Sequence, residues 1–353
     1  MQNFKETMAY IIKRVVLMIV TFLIIFVIAF ALIRMIPLNI SGGAGTDFEK
    51  FLMQQAKIGR LYKDSSGQWR EYPVAVQFVN FLKRFFYPYV RNDDGTLEKV
   101  SRWGYSLVVE LNSTPQEVLF RHMPITVVMN LYSMIFSVPL GIALGIFMAL
   151  KKNKWEDNVL NVVVMIFISI PGFVFAFLLQ YLLGYKWNLL PPLTVAESIY
   201  GLFSPEMFRS MILPVLAMSL GSIAAYARYT RAELTEVLTS DFMLLARTKG
   251  LNRGQATIRH ALRNSMVPIF PMILGEFISI LGGSIIIEQI FGVNGVGQIY
   301  LMSCTGAQKD YDVFQFVSMF YVLIGLVGGL VVDISYGIVN PRIRMGGGKD
   351  NAY

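Results

Sequence analysis

The sequence predicts an all-α polytopic membrane protein: about six transmembrane helices, an external insertion, and a long cytoplasmic loop carrying short helices of its own. Three observations predict it. Of 353 residues, 55% are hydrophobic and 15% charged, against roughly 25% charged in an ordinary soluble domain. Four runs, Val15–Ile33, Ile125–Leu150, Val159–Tyr185 and Val313–Val332, are 19, 26, 27 and 20 residues long and hold no charged side chain. Lysine and arginine gather on alternate connecting segments rather than evenly along the chain.

A helix rises 1.5 Å per residue, so roughly 20 apolar residues cross the hydrocarbon core of a bilayer. Each of the four runs suffices, and a soluble protein exposing them would aggregate. Two weaker candidates complete six spans. Met211–Ala227 is uncharged over 17 residues, and Met266–Ile290 has 25 residues and contains Glu276 and Glu288. The first run, extended to Ile36, is too long for a signal-peptide core and no small-x-small cleavage site follows Pro37, so it reads as a retained first helix.

Basic residues near span ends favour the cytoplasm. With the N-terminus inside, segments 1–14, 151–157, 228–267 and 340–353 hold 16 Lys/Arg, and the short outer segments 185–210 and 291–312 hold 3. Segment 37–124 carries 11 but is longer than the loops of about 60 residues to which the rule applies. Arg34, near the end of the first helix, is expected to snorkel outward. Both termini are therefore expected in the cytoplasm of a bacterial cell with a multi-pass inner membrane protein. The domains follow: 1–36, cytoplasmic N-terminus and first helix; 37–124, an extracytoplasmic cap; 125–339, a five-helix core including the cytoplasmic loop 228–268; and 340–353, a cytoplasmic tail.

The cap is too polar to span and rich in aromatics. Phe78, Phe81, Leu82 and Phe85 recur at helical spacing, so Val74–Phe86 is expected to be a helix, and Asn92-Asp93-Asp94-Gly95 reads as a turn. The segment is read as a small folded unit on the membrane surface and, as a second reading, as a docking face for an external partner. Pro139, Pro171 and Pro214 lie inside spans, where neighbouring helices can satisfy the freed carbonyls. Gly141 and Gly145 form a G-x-x-x-G pattern that permits close helix approach.

The informative stretch is Arg228–Pro268. Leu234, Val237, Leu238, Phe242 and Leu245 form an apolar stripe at helical spacing. Thr239-Ser240-Asp241 is expected to break that helix and cap a short second one, and Gly250 to stop it in the left-handed region. Asn252 is expected to cap a third helix, with Gln255 in the capping-box position. Arg247, Lys249, Arg253, Arg259 and Arg263 add positive charge. A soluble motor cannot push on helices buried in lipid; it needs a stiff lever outside the membrane, and a short amphipathic helix seated in a groove supplies one.

Catalytic and metal chemistry find little support. Cys304 stands alone, and His122 and His260 are far apart in sequence, so neither a disulfide nor a Cys/His metal site is expected. The net charge of +8 follows membrane topology and does not call for nucleic acid. Gly346-Gly347-Gly348-Lys349-Asp350 lacks the first glycine and the Ser/Thr of a phosphate loop. Glu276 and Glu288 are candidates for the translocation pathway or its gate, because an ionisable group within a span should face protein or water; pairing with a neighbouring helix and support of the Phe291–Gly297 loop are the respective alternatives. Asp333 is expected to be paired, and His260 to pack on the loop surface.

Ala246-Arg247-Thr248-Lys249-Gly250-Leu251, then His260-Ala261-Leu262-Arg263-Asn264 and Pro268, resemble the EAA-type loop of ABC importer permeases of the oligopeptide/dipeptide/nickel branch. Trp103–Leu107, Pro124-Ile125-Thr126, Pro139–Gly145, Ser169–Phe173, Leu213–Arg231, Gly282–Glu288, Phe291–Gly297 and Asn340–Arg344 extend the resemblance over most of the chain. Leu244-Leu245-Ala246 stands where the general signature has Glu-Ala-Ala. The resemblance implies an ATPase-coupling helix in the loop, with Glu236, Asp241, Phe242, Ala246, Arg247, Lys249, Gly250, His260, Arg263 and Asn264 as its residues. It implies a non-catalytic subunit that binds no cofactor. ATP and Mg are expected on two partner ATPase subunits, beside a second homologous permease subunit and an extracytoplasmic substrate-binding protein. Peptides are the expected cargo, with nickel chelates or other small solutes as alternatives, moved by alternating access. An ion-gradient-driven transporter would require clustered mid-membrane charges and an internal repeat, and a membrane enzyme a nucleophile–base or metal cluster; the sequence displays none of these.

Overall fold

The computed structural model describes residues 2–38, 40, 45–91, 95–305 and 309–339. The expected turn at Asn92-Asp93-Asp94 and the expected tail 340–353, with its Asn340–Arg344 match, lie outside the described residues. In chain order the elements are α1 (Gln2–Arg34), α2 (Thr46–Lys57), β1 (Leu61–Lys63), β2 (Trp69–Glu71), α3 (Val74–Phe86), β3 (Tyr89–Arg91), β4 (Leu97–Lys99), α4 (Pro115–Leu150), α5 (Trp155–Ser169), α6 (Gly172–Leu179), α7 (Glu197–Tyr200), α8 (Pro205–Leu238), α9 (Asp241–Thr248), α10 (Arg253–Ala256), α11 (Leu262–Ser265), α12 (Ile269–Ser279), α13 (Ile285–Phe291), α14 (Val296–Cys304) and α15 (Tyr311–Val339). Gln180–Lys186 and Thr257–Ala261 wind as π-helix and Ile280–Gly282 as 3-10 helix.

Four helical stretches, Met8–Arg34, Pro115–Leu150, Pro205–Leu238 and Tyr311–Gly337, are long and apolar enough to cross a membrane; counting each of three bent helix pairs as one span gives seven. Helix breaks divide two runs that hydropathy reads as continuous. Within Val159–Tyr185, α5 stops at Ser169 and the chain turns by 97°. Ile170 is extended, with φ −89° and ψ 126°, as the residue before Pro171 prefers. Within Met266–Ile290, the 3-10 turn after α12 ends at Gly283, which has φ +64°. A Cβ there would lie 2.4 Å from Oε1 of Glu288, so only glycine fits.

The chain forms two compact units. One comprises Met1–Met18, Ile125–Val293 and Gly325–Tyr353; the other comprises Ile19–Pro124 and Asn294–Ile324. In the first, α4 and α8 pack closely through the two glycines of the expected motif. A Cβ on Gly141 would stand 2.6 Å from Cβ of Tyr226, and one on Gly145 would stand 2.5 Å from Cβ of Thr230. Ser133 and Ser219 join the same helices by a 3.0 Å hydroxyl contact. Ile125, Met129, Met207, Met211, Leu213 and Phe291 form the largest buried cluster. Asp333 is paired as expected, with Arg14 of α1 at 3.1 Å.

The second unit contains two short antiparallel hairpins, registered Tyr62 to Arg70 and Val90 to Glu98. The aromatic periodicity of α3 is realised: Phe81 packs with Phe26, Phe30 and Trp103 at centroid separations of 5.3–5.4 Å. The expectation that Arg34 snorkels is overturned. Its side chain is 4% exposed and pairs with Asp312 at 2.6 Å; a charge-assisted bond to a buried carboxylate replaces water. Asp312 also accepts from Gln55 at 2.8 Å and from the Tyr105 N–H at 3.1 Å. Nearby, Asp310 accepts from the Ser106 hydroxyl at 2.6 Å and from the N–H groups of Leu107 and Val108, each at 3.0 Å. Burial pushes the Asp310 carboxyl up, and these donors oppose it. Burial, reinforced by Arg34, lowers the Arg60 guanidinium to about 10, which leaves it charged at neutral pH.

Candidate functional site

Segment 228–268 is helical over most of its length, held by its own capping side chains and by contacts with α4 and α5. α8 runs to Leu238, about three turns beyond the last residue of its predicted span, Ala227. It is held by a bidentate pair from Arg231 to Asp157 of α5, at 2.6 and 2.7 Å. The helix stops where expected, but the hydroxyls act backward. Thr239 Oγ1 donates to the Glu236 carbonyl at 3.0 Å, and Ser240 Oγ donates to the Val237 carbonyl at 2.6 Å. They close α8 rather than cap α9, as Ser/Thr side chains do when local carbonyls lack partners.

α9 follows and ends where Gly250 takes φ +91°. The predicted capping box is present: the Gln255 N–H donates to Asn252 Oδ1 at 2.8 Å, and the Asn252 N–H donates to Gln255 Oε1 at 3.3 Å. The helical run 253–265 passes through the π-helical turn Thr257–Ala261. Met243, Ala246, Ala256 and Ala261 pack with Leu234 and with Ala149 of α4.

This packing corrects the predicted stripe. Leu234 is buried and Val237 and Leu238 are partly so, but Met243 and Ala246 carry the inward face of α9. Phe242, Leu244 and Leu245 are 38%, 63% and 56% exposed, and Ile258 is 68% exposed. Four successive apolar residues, Met243–Ala246, leave helical periodicity unable to select the buried pair. Of the other predicted coupling residues, Glu236, Asp241, Lys249, Gly250, His260, Arg263 and Asn264 are exposed. The His260 ring lies 6.4 Å from that of Phe242, nearly perpendicular to it. Arg247 belongs to α9, and its side chain lies outside the described residues, as does that of Arg253.

The two predicted pathway residues have different surroundings. Glu288 is fully buried; it accepts from Thr126 Oγ1 at 3.0 Å, and its carbonyl accepts from the Val293 N–H at 2.8 Å. It closes the turn at Gly283 and supports the end of α13. Glu276 is half-buried and accepts from the Tyr226 hydroxyl. It lines a cavity of about 330 Å³ between α4, α8 and α12, together with Asn130, Ser133, Ser222 and Ser279.

Residues 141–345 match the family model described as "binding-protein-dependent transport system inner membrane component". The chain belongs to this family. Among its relatives, the dipeptide transport system permease protein DppB of Bacillus subtilis (strain 168) is 28% identical over 341 residues, covering 95% of this chain and 98% of its own. The glutathione transport system permease protein GsiC of Escherichia coli (strain K12) is 30% identical over 338 residues, covering 95% and 98%. In fold, the MetNI methionine ABC transporter in its inward-facing conformations matches with a TM-score of 0.50 and 16% identity, over 65% of this chain and 99% of that one. The chain is thus a multi-pass permease of the ABC importer class, a non-catalytic subunit that works with separate ATPase and substrate-binding components.

In the permease, sequence reasoning found the helical make-up of segment 228–268 and singled out both glutamates but missed their partners. Tyr226 beside Glu276 carried no signal in a single sequence, since an aromatic residue in a span is ordinary. Asp157 did carry one: an acidic side chain opening an apolar run needs a partner, and Arg231 is 74 residues away.

Proposed function

We propose that this permease moves peptides inward across the cell membrane by alternating access, driven by two ATPase subunits that grip segment 228–268. The single observation that carries the reading is the division of α9. Met243 and Ala246 are buried against the chain's own helices, while Phe242, Leu244 and Leu245 are left outward on a segment fixed at both ends. An apolar face on a stiff protruding helix is what a partner groove takes hold of.

In this reading a second homologous permease subunit completes the pathway, and a binding protein delivers cargo from outside. ATP and Mg bind between the ATPase subunits. Their closure draws the lever segments together and rocks the spans open to the outside; hydrolysis resets them. Glu236, Asp241, Phe242, Arg247, Lys249, Gly250, His260, Arg263 and Asn264 form the coupling surface, whereas Ala246, expected among them, packs inward; both termini and the lever are cytoplasmic. The distribution of 16 Lys/Arg against 3 supports that orientation, and the dipeptide and glutathione relatives support a peptide cargo. Glu288 is a structural member of the gate region, and 37–124 is an extracytoplasmic cap.

The test is ATP-dependent uptake by the complete complex in proteoliposomes, with peptides of graded length, glutathione and a nickel chelate offered in turn. The reading expects peptide uptake that stops without ATP. Uptake of the chelate alone, or uptake that follows an imposed ion gradient without ATP, would contradict it.

A further inference from the structure

The cavity beside Glu276 has a chemistry the lever does not explain. Asn130 and Ser133 come from α4, Ser222 from α8, and Glu276 and Ser279 from α12. Among the described residues, no lysine, arginine or histidine lines it. The hydroxyl of Ser279 is already donating, to the Glu276 carbonyl at 2.7 Å, and the Asn130 amide nitrogen donates to the Thr126 carbonyl at 2.7 Å. Each of these side chains offers an oxygen acceptor, the Ser222 hydroxyl and the second amide hydrogen of Asn130 add neutral donors, and the one ionisable group among the described lining residues is the Glu276 carboxyl.

A carboxylate within a membrane-spanning region is costly unless an opposite charge or water attends it. The Tyr226 hydroxyl supplies one neutral hydrogen bond, and a neutral donor compensates an ionised group only in part. Among the described lining residues there is no compensating cation. We infer that the Glu276 cavity is a cation-selective waypoint that receives a primary ammonium group of the cargo as it passes. Two sources share that chemistry, a peptide's amino terminus and a lysine side chain. The inference deepens the peptide-import reading and rests on it for the identity of the cargo. The selectivity of the cavity stands separately.

The experiment therefore has two arms on the complete complex, in a Cys304→Ser background. In the first, Ser222→Cys, or Ser279→Cys if that variant fails to assemble, is labelled with a cationic and an anionic methanethiosulfonate of similar size. The expected result is labelling about tenfold faster by the cationic reagent, the effect of about 1.4 kcal/mol, with the preference lost on adding Glu276→Gln. No preference, a preference unchanged by Glu276→Gln, or cysteines closed to both reagents overturns the site. In the second arm, uptake of trialanine and of Ala-Lys-Ala is compared with and without Glu276→Gln. Several-fold loss for both peptides assigns the amino terminus, and a larger loss for the lysine peptide assigns the side chain. Undiminished uptake of both overturns the role in cargo passage. Intact cation preference with no peptide uptake by the native complex supports the site and counts against the peptide reading alone.

Discussion

Arg231 and Asp157 join α8 to α5 by two parallel hydrogen bonds of 2.6 and 2.7 Å, with the aspartate side chain fully buried. The pair sits where α8 leaves its predicted apolar span, so it fixes the base of the 228–268 segment against the helix bundle. Asp157 also accepts from the Asn153 N–H at 3.0 Å. Replacing Asp157 with Asn keeps the shape but removes the charge-assisted bonds. The expected loss is about 1.5–3 kcal/mol, read as a lower thermal midpoint of the detergent-solubilised permease, with transport reduced more than ATP hydrolysis. An unchanged midpoint and unchanged coupling would show that the pair does not hold the lever.

Gly145 is a sharper test of how α4 meets α8. Its missing side chain lets the Thr230 Cβ and the Ala227 carbonyl come within 2.5 and 2.6 Å of where a Cβ would be. Two of the nearest atoms are backbone, which cannot swing aside. Gly145→Val is expected to prevent the two helices from docking and to abolish stable expression, whereas Gly221→Ala, with nothing within 4 Å, should be tolerated. Equal yields of the two variants, measured by membrane-fraction immunoblot, would refute this packing.

The Arg34–Asp312 pair predicts a comparable effect in the other unit. Both side chains are almost fully buried, and removing one partner of such a pair leaves an uncompensated charge, at about 3–5 kcal/mol. Asp312→Asn should therefore destabilise that unit strongly and expose Ile19–Pro124 to limited proteolysis. Protease resistance equal to the native protein would mean that Arg34 finds water or another acceptor.

Gly250 tests the stop after α9. Its φ of +91° has no atom within 4 Å of an added Cβ, so substitution strains the backbone without a steric clash. Strain of about 1–3 kcal/mol in such a region should tilt α9 against the capped run that begins at Asn252. Gly250→Val is expected to insert and assemble normally but to hydrolyse several ATP per peptide moved for each one used by the native complex. A native ratio of hydrolysis to uptake would count against a rigid lever.

The long spans were legible because their signal is local: an uncharged run of twenty residues has few other destinations. The breaks at Pro171 and Gly283 also had local signals, an Ile-Pro step and a Gly-Gly-Ser triplet, but continuous hydropathy masked them. The capping box at Asn252 and Gln255 and the left-handed Gly250 were readable since each depends on residues three or four positions apart. The inward face of α9 was not, because Met243–Ala246 is apolar on every side and only the location of Ala149 and Leu234 decides which pair is buried. Arg34 was misread for a related reason. Its acceptor lies 278 residues away, and no single sequence reports that distance. The Glu276 cavity combines both cases: the carboxyl was visible, but the polar side chains around it come from three separate helices.

The central claim is that an ATPase partner grips the outward apolar face of α9, and it is tested most directly at Leu244 and Leu245. Both are more than half exposed, so polar substitution there should cost the permease itself under about 0.5 kcal/mol. The measurement is the amount of ATPase subunit that co-purifies with tagged permease carrying Leu244→Asp and Leu245→Asp. The account predicts native membrane insertion with the ATPase subunits lost and uptake abolished; full co-purification and full uptake by the same variant would contradict it.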